Sequence, residues 1–129
     1  MTPETDLHGR RIFVLGGDTE LGRTLVIGLA EAGADVAIAS LSADAKGEFA
    51  INSALNELWA MGRQGLTLVI DAGDEDQVRQ AVARATGELG PLDVAAVVAA
   101  GDDIVAVDAL RDALAGRRLV VIPPEAAAA

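Results

Sequence analysis

Five short apolar runs alternate with four longer segments of helical periodicity along the 129 residues. Each run is nearly continuous in Val, Leu, Ile and Ala, which is typical of parallel strands that are covered on both faces. The predicted strands are 11–15, 35–39, 66–70, 94–99 and 118–122, and the predicted helices are 20–32, 45–61, 75–89 and 104–114. Because strands that alternate with helices form right-handed crossovers, the pattern predicts an α/β fold with one parallel sheet between two layers of helices.

The composition predicts a single domain over residues 1–129 with an aliphatic core. Hydrophobic residues make up 51% of the chain, aromatic residues only 2%, and cysteine is absent, which removes disulfides and thiolate metal sites. The formal net charge of −10 argues against binding to nucleic acid or to an anionic membrane, since clustered Lys and Arg neutralise phosphates. Residues 1–9 are predicted to be a leader without signal-peptide features and 123–129 a loose tail, and we expect a cytoplasmic protein.

The turn after the first strand is the most informative stretch. The strand runs into Leu15-Gly16-Gly17-Asp18-Thr19-Glu20-Leu21-Gly22, and a helical pattern follows. In a Rossmann-like sheet, a glycine-bearing turn of this kind lets the backbone approach a pyrophosphate, while the helix N-terminus supplies N–H donors. The most economical order of the five strands is 3-2-1-4-5, which places a crevice beside strand 1, at the carboxyl ends of strands 1 and 4.

From about Gly9 to Gly101, the chain resembles the short-chain dehydrogenase/reductase family. Residues 15–22 occupy the frame of the family's Thr-Gly-x-x-x-Gly-x-Gly, and residues 31–36 form a typical approach to strand 2. Residues 71–74, Asp-Ala-Gly-Asp, resemble the family's Asp-Val-Thr-Asp, whose first Asp contacts adenine. Residues 98–101, Val-Ala-Ala-Gly, take the place of Asn-Asn-Ala-Gly. The resemblance covers the N-terminal, Rossmann half of the family's fold, without the catalytic half.

The resemblance implies a site for a nicotinamide dinucleotide. Its predicted residues lie in the turn after strand 1 and at the ends of strands 2, 3 and 4: Gly16, Asp18, Thr19, Leu21, Gly22, Ser40, Leu41, Asp71, Ala72, Ala99, Ala100 and Gly101. Ser40 ends strand 2, where an acidic residue binds the adenosine ribose hydroxyls and where its absence tolerates a 2′-phosphate. This favours NADP over NAD, although Leu41 replaces the Arg often found there in NADP-using relatives. A serine in a turn is also ordinary, and a chain without any cofactor stays open as the alternative.

Glu20 departs from the family pattern, which has its central glycine at this position. A glutamate adds bulk and a negative charge where a pyrophosphate would approach. Two unit charges about 4 Å apart repel by roughly 1 kcal/mol in water and by about 4 kcal/mol at an effective dielectric constant of about 20. Arg23 is a candidate to offset that charge or to swing Glu20 aside. In the structural alternative, Asp18 or Thr19 caps the helix, Glu20 favours its positive end, and the chain fills its own anion site.

The acid/base residues of the family are absent from these 129 residues. Hydride transfer in the family uses a Ser followed by Tyr-x-x-x-Lys, in which the tyrosine is the general acid/base. The chain has no tyrosine, and its one lysine, Lys46, lies near the second predicted helix. Pro123 and Pro124 stand where the Ser would follow strand 5. No catalytic residue and no metal ligand is therefore predicted, and His8 is expected to be solvated.

Strands 4 and 5 predict a homo-oligomer. Right-handed connections place helices 1 and 2 on one face of the sheet and helices 3 and 4 on the other, so the first face is bare over strands 4 and 5. Residues 94–100 and 119–122 are nevertheless apolar at both odd and even positions, which face opposite sides of the sheet, as in strands that are buried on both sides. We expect self-association, or a partner, at this face and at the edge of strand 5.

Two features of the helices carry smaller predictions. Trp59, with Leu55, Leu58 and Met61 on the second helix, is expected to pack in the core or in an interface rather than to form a ligand platform. Gly28 lies inside the first helix, where glycine costs roughly 1 kcal/mol relative to alanine, and a close helix–strand contact would explain it.

Three functions are compatible with these observations. The first is a degenerate, non-catalytic and self-associating relative of the short-chain dehydrogenases that binds NADP(H) or another adenine nucleotide without transforming it. The second is an apo interaction or scaffold module that no longer binds nucleotide. The third is an NADP-dependent oxidoreductase whose catalytic residues are unconventional or supplied by a partner.

Overall fold

The computed structural model describes residues 6–98 and 104–122, which form strands and helices in strict alternation. The strands are β1 (Arg11–Leu15), β2 (Asp35–Ala39), β3 (Gly65–Leu68), β4 (Val94–Val98) and β5 (Arg118–Ile122). The helices are α1 (Glu20–Glu31), α2 (Ala45–Ala60), α3 (Glu75–Leu89) and α4 (Ile104–Leu114). Apart from β3, these bounds agree with the predicted ones within one residue. The predicted last residue of strand 4, Ala99, lies outside the described residues.

The sheet is parallel throughout and has the order β3-β2-β1-β4-β5, as predicted. β1 is central: Phe13 pairs with Ala37 of β2 on one side and with Ala95 of β4 on the other. β2 and β3 therefore lie on one side of β1, and β4 and β5 lie on the other, so the strand order reverses at β1. This is the point at which open parallel sheets bind their ligands.

Alternate residues of β1 and β2 enter two separate cores. Phe13 and Leu15 of β1 pack with α3 and α4, while Ile12 and Val14 pack with α1 and α2. Phe13, Val14 and Leu15 are each 0% exposed. Burial on both faces explains why β1 and β2 are continuously apolar rather than alternating, and the two cores confirm the three-layer, Rossmann-like architecture.

β3 is shorter than predicted because a side chain ends its pairing with β2. The backbone N–H of Ser40 donates to the Leu68 carbonyl at 3.1 Å, but beyond that point the Ser40 hydroxyl replaces the backbone as the partner of β3. It accepts from the Ile70 N–H and donates to the Ile70 carbonyl, both at 3.0 Å. The predicted extension to residue 70 is therefore wrong, although Ile70 is still buried.

Two predictions about the helices need correction. Gly28 is exposed, and a Cβ placed on it would meet nothing within 4 Å, so no close helix–strand contact explains this glycine. Leu55 and Leu58 enter the core on the α1/α2 side, as predicted, but Trp59 is 58% exposed. The core role is therefore wrong for Trp59, and the interface role stays a prediction.

The face predicted to be bare over strands 4 and 5 is open over β5 but not over most of β4, where Ala96 and Val98 are 6% and 2% exposed. Val120 pairs with Ala96, which pairs with Val14, so Val120 belongs to the side of the sheet that carries α1 and α2. Its side chain is 43% exposed. Where Ile12, Val94 and Arg118 lie side by side on the same face, a cleft of about 700 Å³ opens to solvent. No helix among the described residues is long and apolar enough to span a bilayer.

Candidate functional site

The loop between β1 and α1 lies at the end of β1, the strand at which the strand order of the sheet reverses. The N–H groups of Gly16 and Gly17 both donate to the Ala39 carbonyl at the end of β2, at 2.9 and 3.0 Å. Gly16 has φ of 103°, and a Cβ placed on it would lie 2.8 Å from the Val98 carbonyl oxygen at the end of β4. The loop is therefore held against the carboxyl ends of β2 and β4 at once, and glycine is required for that approach.

Gly22 closes the turn from the other side. A Cβ placed on Gly22 would overlap the Gly16 carbonyl oxygen and lie 2.8 Å from Thr19 Oγ1. The same Gly16 carbonyl accepts from the N–H of Thr19 at 3.0 Å and from its hydroxyl at 2.7 Å. The first turn of α1 can therefore pack against the end of β1 only if residue 22 has no side chain. Leu21, beside it, is half-buried.

Thr19 is the residue that caps α1. Its Oγ1 accepts from the Gly22 N–H at 2.9 Å, which is the usual N-cap geometry. Glu20 follows as the first residue of the helix, where a carboxylate is favoured by the helix dipole, and its side chain is exposed. The predicted alternative in which Thr19 caps the helix is therefore confirmed.

Arg23 does not compensate Glu20. Its guanidinium lies 3.1 Å from the Glu57 carboxylate and donates to the Ser53 hydroxyl at 3.2 Å, both on α2. Within residues 6–98 and 104–122, no ion pair of Glu20 is formed. The negative charge of Glu20 therefore stays at the helix N-terminus, beside the turn where a pyrophosphate would approach.

The Asp18 side chain points away from α1 and binds the loop that follows β2. Its Oδ1 accepts from the Leu41 N–H at 2.9 Å, and its Oδ2 accepts from the Ser42 N–H at 3.4 Å. The side chain is half-buried. The alternative in which Asp18 caps α1 is wrong, because its carboxylate serves the next loop instead.

The predicted residues after β2 and β3 lie at the same edge of the sheet. Ser40 is 0% exposed, and both of its hydroxyl hydrogen bonds go to Ile70, so its side chain is committed to the protein interior. The Leu41 carbonyl accepts from the N–H of Ala72 at 2.9 Å, which joins the two loops. Asp71 is exposed, and its Oδ1 accepts from the Gly73 N–H at 2.9 Å.

Nine of the predicted residues thus converge on one edge of the sheet, while Ala99, Ala100 and Gly101 lie outside the described residues. Sequence reasoning missed two glycines at this edge. A Cβ on Gly17 would overlap Ile38 Cγ2, and a Cβ on Gly47 would lie 3.2 Å from Asp18 Oδ2. Gly47 lies in the first turn of α2 and donates its N–H to the cap residue Asp44 at 2.7 Å. A glycine three residues after an Asp at a predicted helix start was the available signal.

Charged groups elsewhere do not contribute to this edge. His8 packs against Gly33 at the amino ends of the strands, where its backbone N–H donates to Asp6 at 3.0 Å. That hydrogen bond, with a second from the His8 side chain, lowers the pKa of the Asp6 carboxyl below its ordinary value. In the part of the chain that the structure describes, no three acidic or His side chains are grouped so as to hold a metal ion.

Comparison with known proteins agrees with this geometry. The sequence pattern of the family described as short chain dehydrogenase matches residues 10–117. A short-chain dehydrogenase/reductase of Armillaria gallica is 37% identical over 87 residues, covering 67% of this chain and 32% of that protein.

Solved structures of similar proteins share the fold. A short-chain type dehydrogenase/reductase from Mycobacterium marinum has a TM-score of 0.75 and 27% identity, covering 91% of this chain and 56% of the other. A blue fluorescent protein from a metagenomic library, in complex with NADPH, has a TM-score of 0.78 and 30% identity, covering 90% and 56%.

The matches extend over most of this chain but over only part of its relatives. The chain spans about a third of the Armillaria protein and about half of the two solved structures. The matched residues 10–117 include the glycine turn and the ends of β2 and β3. On its sequence and on its fold, the chain belongs to the short-chain dehydrogenase family.

Proposed function

We propose that the chain binds a nicotinamide adenine dinucleotide at the β1–α1 loop and that these 129 residues do not themselves carry out hydride transfer. The observation that carries the binding proposal is the closed turn of Gly16 and Gly22. Both glycines are required by backbone contacts, and together they aim the N-terminus of α1 at the crevice beside β1. A relative of the same fold is in complex with NADPH, which supports this choice of ligand class.

The chain lacks the residues that carry out proton transfer in the family. The chain contains no tyrosine, so it does not supply the family's usual general acid/base. Lys46 is exposed in the first turn of α2, and residue 42 is a serine, so Lys46 does not form the family's Tyr-x-x-x-Lys pair. This chain accordingly binds the dinucleotide, and groups outside these 129 residues carry out the proton transfer.

The second candidate is an interaction module that binds no nucleotide. Asp18 takes up backbone donors at the end of β2, and Glu20 stands uncompensated at the N-terminus of α1. Glu20 thus places a negative charge where a pyrophosphate would approach, and Asp18 is already engaged by backbone donors at the end of β2. Phe49 and Trp59 of α2, 77% and 58% exposed, offer an apolar contact surface instead.

A nucleotide titration separates the two candidates. NAD, NADP and ATP are added in turn, with inorganic pyrophosphate as the control for ionic effects, and thermal unfolding and calorimetry are recorded. A ligand at 100 times its dissociation constant stabilises the folded state by about 2.7 kcal/mol, which is a readily measured rise in Tm. We expect a dinucleotide to raise Tm and pyrophosphate to leave it unchanged. No change with any nucleotide at millimolar concentration would favour the interaction module.

We further propose that the chain self-associates, in the cytoplasm, through the open face and edge of β5. Val120 is 43% exposed on that face, and Val121 is 43% exposed on the opposite face of the same edge strand. The neighbouring cleft of about 700 Å³ is lined by Arg10, Asp93 and Arg118 as well as by Ile12 and Val94. Association through β5 would remove the exposed valine side chains from water. The net charge of −10 keeps nucleic acid an unfavourable partner.

Light scattering at micromolar concentration tests the self-association. The protein is expected to elute as a dimer or larger species. Val120→Lys is expected to shift it to monomer with little loss of stability, because the side chain is already half in solvent. Lys46→Ala, which removes a charge from an exposed position on α2, is the control and is expected to leave the mass unchanged. A monomeric parent protein would contradict the proposal.

A further inference from the structure

We infer that Asp18 selects a dinucleotide whose adenosine ribose carries a free 2′-hydroxyl, so that the chain binds NAD in preference to NADP. The inference rests on the proposed function, and it reverses the preference predicted from Ser40. Ser40 predicted NADP because strand 2 ends without a carboxylate of its own. The fold brings a carboxylate to that strand end from a different loop.

The position of the carboxylate is fixed by the end of β2. In doubly wound sheets, the adenosine ribose lies at the end of the second strand, where an acidic residue of that strand binds its 2′-hydroxyl. Here β2 ends at Ala39. Asp18 Oδ1 lies 2.9 Å from the Leu41 nitrogen and Oδ2 lies 3.4 Å from the Ser42 nitrogen, so the carboxylate is delivered to the two residues that follow Ser40.

The surroundings of Asp18 leave its carboxylate able to bind. The first turn of α2 closes against it, since a Cβ on Gly47 would lie 3.2 Å from Oδ2. The N-termini of α1 and α2 both start at this edge, and helix N-termini favour negative charge. An ionised carboxylate offers about four acceptor positions, of which the two backbone N–H groups use two. The remaining positions suit the hydroxyls of a ribose.

The same carboxylate opposes a 2′-phosphate. A phosphate monoester carries about −1.5 to −2 charges at neutral pH. Leu41, the residue in contact with Asp18, provides no cation, and Arg23 is held by Glu57 and Ser53 of α2. Lys46, in the first turn of α2, is exposed to solvent. Repulsion between this phosphate and Asp18 at a separation of about 4 Å corresponds to at least roughly a tenfold loss of affinity, even with the screening of bulk water.

The test compares NAD with NADP by calorimetry in the full chain, in Asp18→Asn and in Asp44→Asn. Asp44 is the matched control, because its carboxylate caps α2 close by, its removal changes the net charge by the same amount, and Asn also caps helices well. We expect the parent chain to bind NAD roughly tenfold more tightly than NADP. Asp18→Asn is expected to bring the ratio of the two dissociation constants close to one, mainly by improving the binding of NADP. Asp44→Asn is expected to preserve the ratio.

The outcomes distinguish this inference from the proposed function. Binding of both dinucleotides with equal constants in the parent chain, or a preference for NADP, overturns the role of Asp18 and leaves the binding function standing. That comparison needs no variant and is independent of how Asp18→Asn folds; Asp18→Ser serves as the second variant. The series is repeated with Glu20→Gly, so that a block by Glu20 does not hide the ratio. If neither background binds either dinucleotide, the proposed function fails and the inference fails with it.

Discussion

Replacing Gly22 with alanine is expected to lower the free energy of unfolding by about 3 kcal/mol or more. The added Cβ would overlap the Gly16 carbonyl oxygen, which belongs to the backbone and already accepts two hydrogen bonds from Thr19. Neither partner can rotate away, so α1 would have to shift along β1. Unfolding in guanidinium, followed by circular dichroism, measures the change.

Gly28→Ala is the matched control for that experiment. It makes the same substitution six residues further along the same helix, where a Cβ meets nothing within 4 Å. Alanine there is expected to stabilise the protein by about 0.5–1 kcal/mol, because glycine is a poor helix former. Opposite signs at the two positions would establish the tight turn at the candidate site. Equal, small effects at both positions would contradict the close packing of Gly22.

Replacing Glu20 with glycine is expected to increase the affinity for a dinucleotide by between roughly fivefold and a thousandfold. The lower value corresponds to a pyrophosphate that meets the Glu20 charge through water, and the upper value to a largely desolvated contact. The same change is expected to cost up to about 1 kcal/mol of stability, since a glycine replaces a better helix former at the first position of α1. Calorimetry with NAD and NADP measures the gain.

Two glutamine variants separate charge from bulk in this experiment. Glu20→Gln keeps nearly the same size and removes the charge, so it reports the electrostatic part alone. Glu31→Gln removes the same charge at the far end of α1, where the side chain is also exposed, and is expected to leave the affinity unchanged. If Glu20→Gly binds no more tightly than the parent chain, Glu20 is not an obstacle in the site.

The fold could be predicted because its signals are local and repeated. Continuous apolar runs mark buried parallel strands, and handedness then leaves few ways to connect them. The need for Gly22 was equally accessible, since a side chain there is excluded by Gly16 and Thr19 in the same turn, whereas Gly16 is required by the distant Val98 carbonyl. Even so, the end of β3 was misplaced, because the interruption comes from the Ser40 hydroxyl, a side chain 30 residues away from Ile70.

The candidate site was harder to predict because its charges are arranged by contacts between distant segments. Arg23 stands three residues from Glu20, yet its guanidinium binds Glu57, which only the packing of α1 on α2 brings close. Asp18 resembled a helix cap from its position in the sequence, but its partner is the N–H of Leu41, 23 residues further along. A periodicity analysis reports which residues share an element, and it contains no information on such pairings.

The two hydrogen bonds between the Ser40 hydroxyl and Ile70 restrict how this chain could ever be adapted to another cofactor. In Rossmann-like sheets, an acidic residue near the end of the second strand binds the ribose hydroxyls of NAD. In this chain, exchanging Ser40 would strip a buried N–H and a buried carbonyl of their partner, at a cost of about 1–3 kcal/mol for each group. We therefore expect substitutions that change the cofactor preference, natural or engineered, to occur in the glycine loop rather than at Ser40.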